Sequence, residues 1–237
     1  MSKQSISSGK SFFFYDSYER HRKVSELIGN SQTILDVGGQ LNALSQFLSG
    51  KKVTVANLSG SQEKSEVIIR GEKLPFKNNS FDCVCAIDVL EHIGGKDRQG
   101  FIKELLRVTS KKVVLSFPIG TPDHVKYEKG LQEHLAKKGM DVTYLKEHIK
   151  FILPSVEQIK KICSGLNYDL YYSGNILINK HLFKLFLFDP KIKIVRKSNY
   201  YFKLLLNSLT NKILYTILSN RKYSNKINRA YLVIHKH

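Results

Sequence analysis

Cysteine is scarce in this 237-residue chain, with three in all. So low and odd a count argues against a disulfide framework and for a reducing compartment. Cys83 and Cys85 sit two apart in an apolar run, so on a strand they share one face and read as small core residues. No further ligands at a recognisable spacing accompany them, and no metal site is expected. Long apolar runs are missing as well. None reaches the roughly 18 uncharged residues of a membrane span, and the nearest, residues 200–220, is broken by Lys203, Asn207, Asn211 and Lys212. A secretory signal is not apparent, because residues 2–10 are polar and the apolar stretch 12–15 is too short for a signal core. These features predict a cytoplasmic protein.

Acidic residues are the other shortage, and it is local. Residues 176–237 hold thirteen Lys and Arg against a single acid, Asp189, whereas the preceding 175 residues hold twenty-five against nineteen. Most of the net charge of +18 therefore lies in the last quarter of the chain. Such a segment favours an anionic partner, an anionic membrane surface foremost, which would put the protein at the membrane periphery. The plainer reading is a Lys- and Asn-rich compositional bias, which accounts for Lys in place of Arg but not for the missing acids.

What is present is an alternation of strand-like and helix-like periodicity as far as residue 118, the pattern of βαβ units and a parallel sheet. Strands are predicted at Thr33–Val37, Lys52–Asn57, 66–70, Phe81–Ile87, 112–117, 168–172 and Arg229–His235. Helices are predicted at 18–28, 41–48, Arg98–Val108 and from Ser155 to about Cys163, the last opened by an approximate capping box. Residues 120–146 are too long and polar for a simple connection and form a candidate active-site cover. Between the last two strands lies an insertion in which Phe202, Leu205, Leu206, Leu209, Ile213 and Ile217 mark one helical face. Another Phe-rich stretch, 183–188, reads as core packing or as a membrane contact.

Two motifs carry chemistry. Ile34-Leu35-Asp36-Val37-Gly38-Gly39 is a strand ending in an acid and a glycine turn, where backbone can approach a nucleotide cofactor closely. The second is the run from Gly71-Glu72-Lys73-Leu74-Pro75-Phe76 through Asn79-Ser80-Phe81-Asp82 to Asp88-Val89-Leu90-Glu91-His92, continued by Phe101 to Val108. Together they resemble class I S-adenosylmethionine (SAM)-dependent methyltransferases, in the branch that includes ubiquinone, menaquinone and glycan-modifying members. The resemblance covers about residues 20–120, and a looser piece follows at 145–155.

It implies an α/β, Rossmann-like methyltransferase fold: a mostly parallel seven-stranded sheet with helices on both faces and a helical insertion before the last strand. The implied layout is an N-terminal cap (1–30), a SAM-binding core (31–175) with a long connection at 120–154, a basic helical insertion (176–228) and a final strand (229–237). The implied cofactor is SAM. Asp36 and Gly38 would frame its methionine end, Gly39 the turn beside it, Asn57 its ribose, Gly71 and Glu72 its adenine, and Asp88 the mouth of the pocket. Phe12 to Tyr15 and Tyr18 would close over it or anchor the N-terminus.

Relatives usually carry glycines at Gln40 and Asn42, an acid at Asn57 and an acid near adenine where this chain has Arg70. A degenerate, non-catalytic binding or scaffold protein is the alternative those departures suggest. His92, beside Glu91 after the fourth strand, is the candidate general base; His124, His134 and His148 read as structural or solvated. The expected reaction is methyl transfer to a small-molecule, glycan or lipid-linked acceptor at oxygen. An isoprenoid-type acceptor ranks next, and RNA last, since no RNA-binding motif is present.

Overall fold

The computed structural model describes residues 14–57, 66–68, 73–137, 139–187 and 192–236, with no side chains described at 66, 68 and 183–187. Seven strands form one sheet: β1 (Thr33–Val37), β2 (Lys52–Asn57), β3 (Glu66–Ile68), β4 (Phe81–Ile87), β5 (Thr109–Pro118), β6 (Asn167–Ser173) and β7 (Arg229–His235). Their spatial order is β3-β2-β1-β4-β5-β7-β6. The first five pair in parallel, and β7 runs against both β5 and β6.

The central strands are near-continuous apolar runs because both faces of the sheet are covered, as parallel sheets require. The helices are α1 (Tyr15–Ile28), α2 (Arg98–Val108), α3 (Pro122–Lys137), α4 (Thr143–Phe151), α5 (Val156–Ile162), α6 (Ile176–Leu187) and α7 (Lys193–Leu218). On one face Leu35, Val84, Ala86 and Leu115 pack with Ile102, Leu105 and Val108 of α2 and with Ile159 of α5. On the other, Ile34, Cys83, Cys85 and Val114 pack with Val24 and Ile28 of α1. The period-two alternation thus places both cysteines on one face as small, fully buried core residues. Ser155 caps α5, its hydroxyl accepting from the Gln158 amide at 3.2 Å.

One expectation changes, and two open points are filled in. Residues 41–48 do not form an α-helix. Only a short 3-10 turn, Ser45–Phe47, appears there, because Gly38 and Asn42 adopt left-handed conformations (φ 79° and 63°) that an α-helix cannot accommodate. The stretch after β5, the candidate active-site cover, forms two helices, α3 and α4, and α4 packs on the 3-10 turn Leu90–His92. The amphipathic helix α7 is oriented with its apolar stripe outward. Phe202, Leu205, Leu209, Ile213 and Ile217 are 56% to 64% exposed, whereas Asn207 and Asn211 are buried.

The reason for that orientation lies in α1, which offers α7 polar partners. Tyr15 donates to the Leu214 carbonyl at 3.2 Å, Tyr215 donates to Glu26 at 2.5 Å, and Lys23 donates to Asn220 at 2.6 Å. No helix among the described residues is long and apolar enough to cross a membrane.

Candidate active site

β1 ends in a tight turn whose geometry needs both glycines. A Cβ on Gly38 would lie 2.5 Å from Val89 Cγ2, and one on Gly39 would lie 2.0 Å from Asp36 Oδ2. The Gly38 amide donates to the Ala56 carbonyl at 2.8 Å, and the Asn57 side-chain amide donates to the Gly39 carbonyl at 2.9 Å. The turn is therefore tied to the end of β2, with bare peptide at the sheet's carboxyl edge, where α/β folds bind nucleotides. Beneath it Asp36 is buried, one carboxylate oxygen is without a hydrogen-bond partner, and the other faces Cys85 Sγ at 3.7 Å.

Burial pushes the Asp36 carboxyl up to about 7, and the Cys85 contact pulls only slightly the other way. The sign of the consequence follows from proton linkage. Below the ordinary 3.8 the group is protonated whether the chain is folded or not. Between there and about 7 the unfolded chain releases a proton that the folded chain keeps, so stability falls as pH rises. Asp36→Asn is therefore expected to be more stable than wild type at about pH 8, with the gap closing towards about pH 4. Urea midpoints of both proteins at the two pH values measure this, and an equal gap at both ends would contradict the assignment.

Beside this turn, at the ends of β4 and β5, opens a cavity of about 690 Å³. Its floor carries Asp88, Glu91 and His92; its roof comes from the first turn of α1 with Phe14 and Tyr15, from α3 with Tyr127 and from α4 with Tyr144. Asp88 follows β4 in a left-handed conformation (φ 55°) and its amide donates to the Ser116 carbonyl at 2.8 Å. Two arginines clamp its carboxylate: Arg20 of α1 at 2.5 Å, and Arg229 of β7, which is itself buried. Burial alone would raise the Asp88 carboxyl, but Arg229 and Arg20 outweigh it and hold it below the ordinary range. Glu91 shows the opposite balance: burial, then the neighbouring Asp88 charge, keeps it protonated well above the ordinary range.

Next to Glu91, His92 Nδ1 lies 2.7 Å from Glu147 Oε2, an ion-pair contact without hydrogen-bond alignment. Its ring centre is 5.4 Å from that of His148 on α4. His148 Nδ1 in turn donates to Glu128 of α3 at 2.9 Å, and His124 Nε2 lies 3.5 Å from the same carboxylate. Burial would raise Glu128, but the His124 and His148 contacts bring it down to about 2.

Of the residues expected from sequence, the cavity gathers Asp88 and His92 directly, with Gln40 at its rim. Asp36, Gly38, Gly39 and Asn57 form the adjoining turn instead. Gly71 and Glu72 lie outside the described residues, as do Arg70, Phe12 and the side chains of 183–188. Tyr18 packs edge-on against Phe47 and Tyr215 rather than over the turn. Arg20, Arg229, Glu128 and Glu147 were not anticipated, and His124 and His148 were read as structural. The i,i+4 spacing of His124 with Glu128 and of Tyr144 with His148 was the available signal, since it places each pair on one helical face.

Residues 35–117 match a family model described as a methyltransferase domain. Among solved structures, the chain is similar to a SAM-dependent methyltransferase from Archaeoglobus fulgidus at 11% identity and a TM-score of 0.55, over 94% of this chain and 95% of that one. It is also similar to a SAM-dependent methyltransferase from Thermotoga maritima at 15% identity and a TM-score of 0.57, over 95% and 90% of the two chains. A third, phosphoethanolamine N-methyltransferase 2 from Haemonchus contortus, has 15% identity and a TM-score of 0.50, over 94% of this chain and 57% of that one. No curated protein matches the sequence. The matched segment covers about a third of the chain and runs from β1 to the end of β5. The named solved structures share the fold with this chain. The side-chain-free turn, the unpartnered oxygen of Asp36 and the amide of Asn57 suit SAM, the cofactor that the sequence resemblance implies.

Proposed function

We propose that the enzyme methylates a hydroxyl oxygen of a glycan or lipid-linked acceptor held in the cavity under α1, α3 and α4. The composition of the cavity carries this reading. Tyr127 and Tyr144 supply ring faces, Asp88, Glu91 and Glu128 supply carboxyl groups, and His92 and His148 supply imidazoles, a set suited to a polyhydroxylated ligand. Among the described residues no lysine lines it, and both arginines are engaged by Asp88. A phosphate-rich acceptor such as RNA finds no free cation there.

SAM supplies the methyl group on a positively charged sulfonium. The chain's own work is to align the acceptor oxygen with it, which lowers the barrier by removing positional freedom before the reaction. His92 stands at the cavity floor to take the hydroxyl proton, with Glu147 steadying the resulting charge.

The outer stripe of α7 supports an acceptor presented at a membrane. Apolar residues exposed along a helix in the most basic quarter of the chain suit the interface of an anionic bilayer, where each nearby Lys or Arg adds about 1 kcal/mol. The protein is expected to sediment with anionic but not neutral vesicles, to be released by raised salt, and to be retained poorly when Leu209 and Ile213 are both changed to Ser. With tritiated SAM and a membrane lipid extract, label should enter a base-stable methyl ether in the glycolipid fraction. Label recovered in RNA, or equal sedimentation with both vesicle types, would overturn the reading.

A further inference from the structure

The densest cluster of potential ligands lies on one wall of the cavity. Glu91, His92 and His148 each present a ligand atom, and these atoms all lie within 4.8 Å of one another. Glu91 and His148 are buried, and Glu91 Oε2 has no hydrogen-bond partner although solvent does not reach it. A buried carboxyl oxygen in that condition is costly unless something else occupies its lone pairs. We propose that these three residues bind one divalent first-row transition-metal ion, which receives the acceptor hydroxyl. The proposal rests on the reading of the cavity as the acceptor site.

The carboxylates beside the two imidazoles support it. His148 Nδ1 donates to Glu128 at 2.9 Å, which leaves Nε2 with its lone pair exposed for coordination. His92 has Glu147 against Nδ1 at 2.7 Å. Carboxylates placed behind imidazoles in this way fix the ring and raise its basicity in metal sites.

The scaffold is also held rigidly where the ligands enter. Glu91 and His92 sit in the turn Leu90–His92, and His148 on α4, two segments far apart in sequence. The buried Arg98 joins them. Its Nε donates to the carbonyls of Leu90 at 3.2 Å and Ile93 at 3.0 Å, and its Nη2 to those of Phe151 at 3.3 Å and Ile152 at 2.5 Å. One side chain thereby locks the ligand-bearing turn to the end of the ligand-bearing helix, the pre-organisation a binding site needs.

The donor set selects the ion. Two imidazoles and one carboxylate suit zinc, iron, cobalt, nickel or manganese, whereas magnesium and calcium favour oxygen alone. Three protein ligands leave coordination positions open towards the cavity. A hydroxyl bound there becomes more acidic and loses its proton to solvent. Its oxygen forms the new bond to the methyl carbon, the carbon–sulfur bond breaks, and sulfur keeps the electron pair. The products are a methyl ether, S-adenosylhomocysteine and one proton, and the ion's oxidation state is unchanged. Where the ion is bound, His92 serves as its ligand and solvent takes the proton, and His92→Ala is expected to lower turnover in either role. No metal was expected from sequence because the cysteines lack companions; the ligands here are assembled only by the packing of α4 on the turn after β4.

Cobalt titration of chelator-treated, tag-free protein tests the proposal, read by visible d–d absorption and by calorimetry. One cobalt per chain is expected. Glu91→Gln and His148→Ala should abolish it, and Glu128→Gln, behind the ligand, should weaken it by about 10- to 100-fold. Thermal unfolding of each variant is measured alongside; if His148→Ala does not fold, Glu91→Gln and Glu128→Gln decide the matter. No cobalt bound by wild type in stoichiometric excess, or the same affinity in the folded variants, overturns the metal site. S-adenosylhomocysteine titration is run separately: binding of it without cobalt sinks only the metal, and cobalt without it sinks the methyl-transfer reading.

Discussion

Gly39→Val should abolish S-adenosylhomocysteine binding that the wild-type protein shows by calorimetry. The expectation follows from one short distance. The first side-chain carbon at position 39 would fall 2.0 Å from Asp36 Oδ2, deeper than any contact that small adjustments relieve, and the carboxylate it strikes is itself buried. Either Asp36 is expelled from its site or the turn moves away from β2, breaking the hydrogen bonds from Gly38 to Ala56 and from Asn57 to Gly39. Backbone groups that face the ligand are then displaced. Losing two or three hydrogen bonds to a buried ligand costs about 3 kcal/mol, a weakening of roughly a hundredfold or more.

Gly38→Val should act the same way through Val89, with the added strain of a β-branched residue at φ 79°. A matched control is Gly100→Ala. That glycine lies in α2 with nothing within 4 Å of the added methyl, so cofactor affinity should hold and the helix should gain slightly in stability. Unchanged affinity in both turn variants would place the cofactor elsewhere. Binding by none of the proteins, wild type included, would return the chain to the degenerate reading suggested by Gln40, Asn42 and Asn57.

The elements that could be read from sequence are those whose pattern is self-contained. β1, β2, β4, β7 and α2 have the bounds their apolar periodicity suggests. The failures have a common physical origin in long-range partners. The stripe on α7 was visible, but its direction was not, since what it faces depends on Tyr15, Lys23 and Glu26 of α1, nearly two hundred positions away. The same holds for the cavity. Asp88 and His92 lie within the motif that carries the resemblance, whereas the charged groups that face them lie outside it: Arg229 is 141 residues from Asp88, and Glu147 and His148 arrive on a helix beyond β5, where the resemblance is looser. A local motif shows where a site begins, and the groups that complete it come from distant segments. The turn at 41–48 failed for a local reason, one asparagine in a left-handed conformation.

His92→Ala should lower turnover by about 10²- to 10⁴-fold while leaving S-adenosylhomocysteine affinity near wild type. The separation of the two effects is what the geometry demands. His92 stands in the cavity wall beyond Asp88, whereas the glycine turn and Asp36 lie across the end of β1, so truncating the imidazole leaves the cofactor turn intact. The side chain is half-exposed and makes no hydrogen bond that holds the fold, so thermal stability should change little. Glu147→Gln keeps the shape and removes the charge 2.7 Å from the ring. It should lower turnover less, within about tenfold to a hundredfold, because it removes a neighbouring charge and leaves the imidazole in place. Both losses should appear in kcat rather than in KM for SAM, because the missing interaction strengthens only as the acceptor oxygen loses its proton. Single-turnover rates with saturating SAM separate this from slow product release. Near-normal turnover in His92→Ala would return the histidine to a structural role beside Glu147. An equal fall in cofactor affinity would mean that the turn after β4 and the turn after β1 act as one unit, contrary to their separate hydrogen bonding.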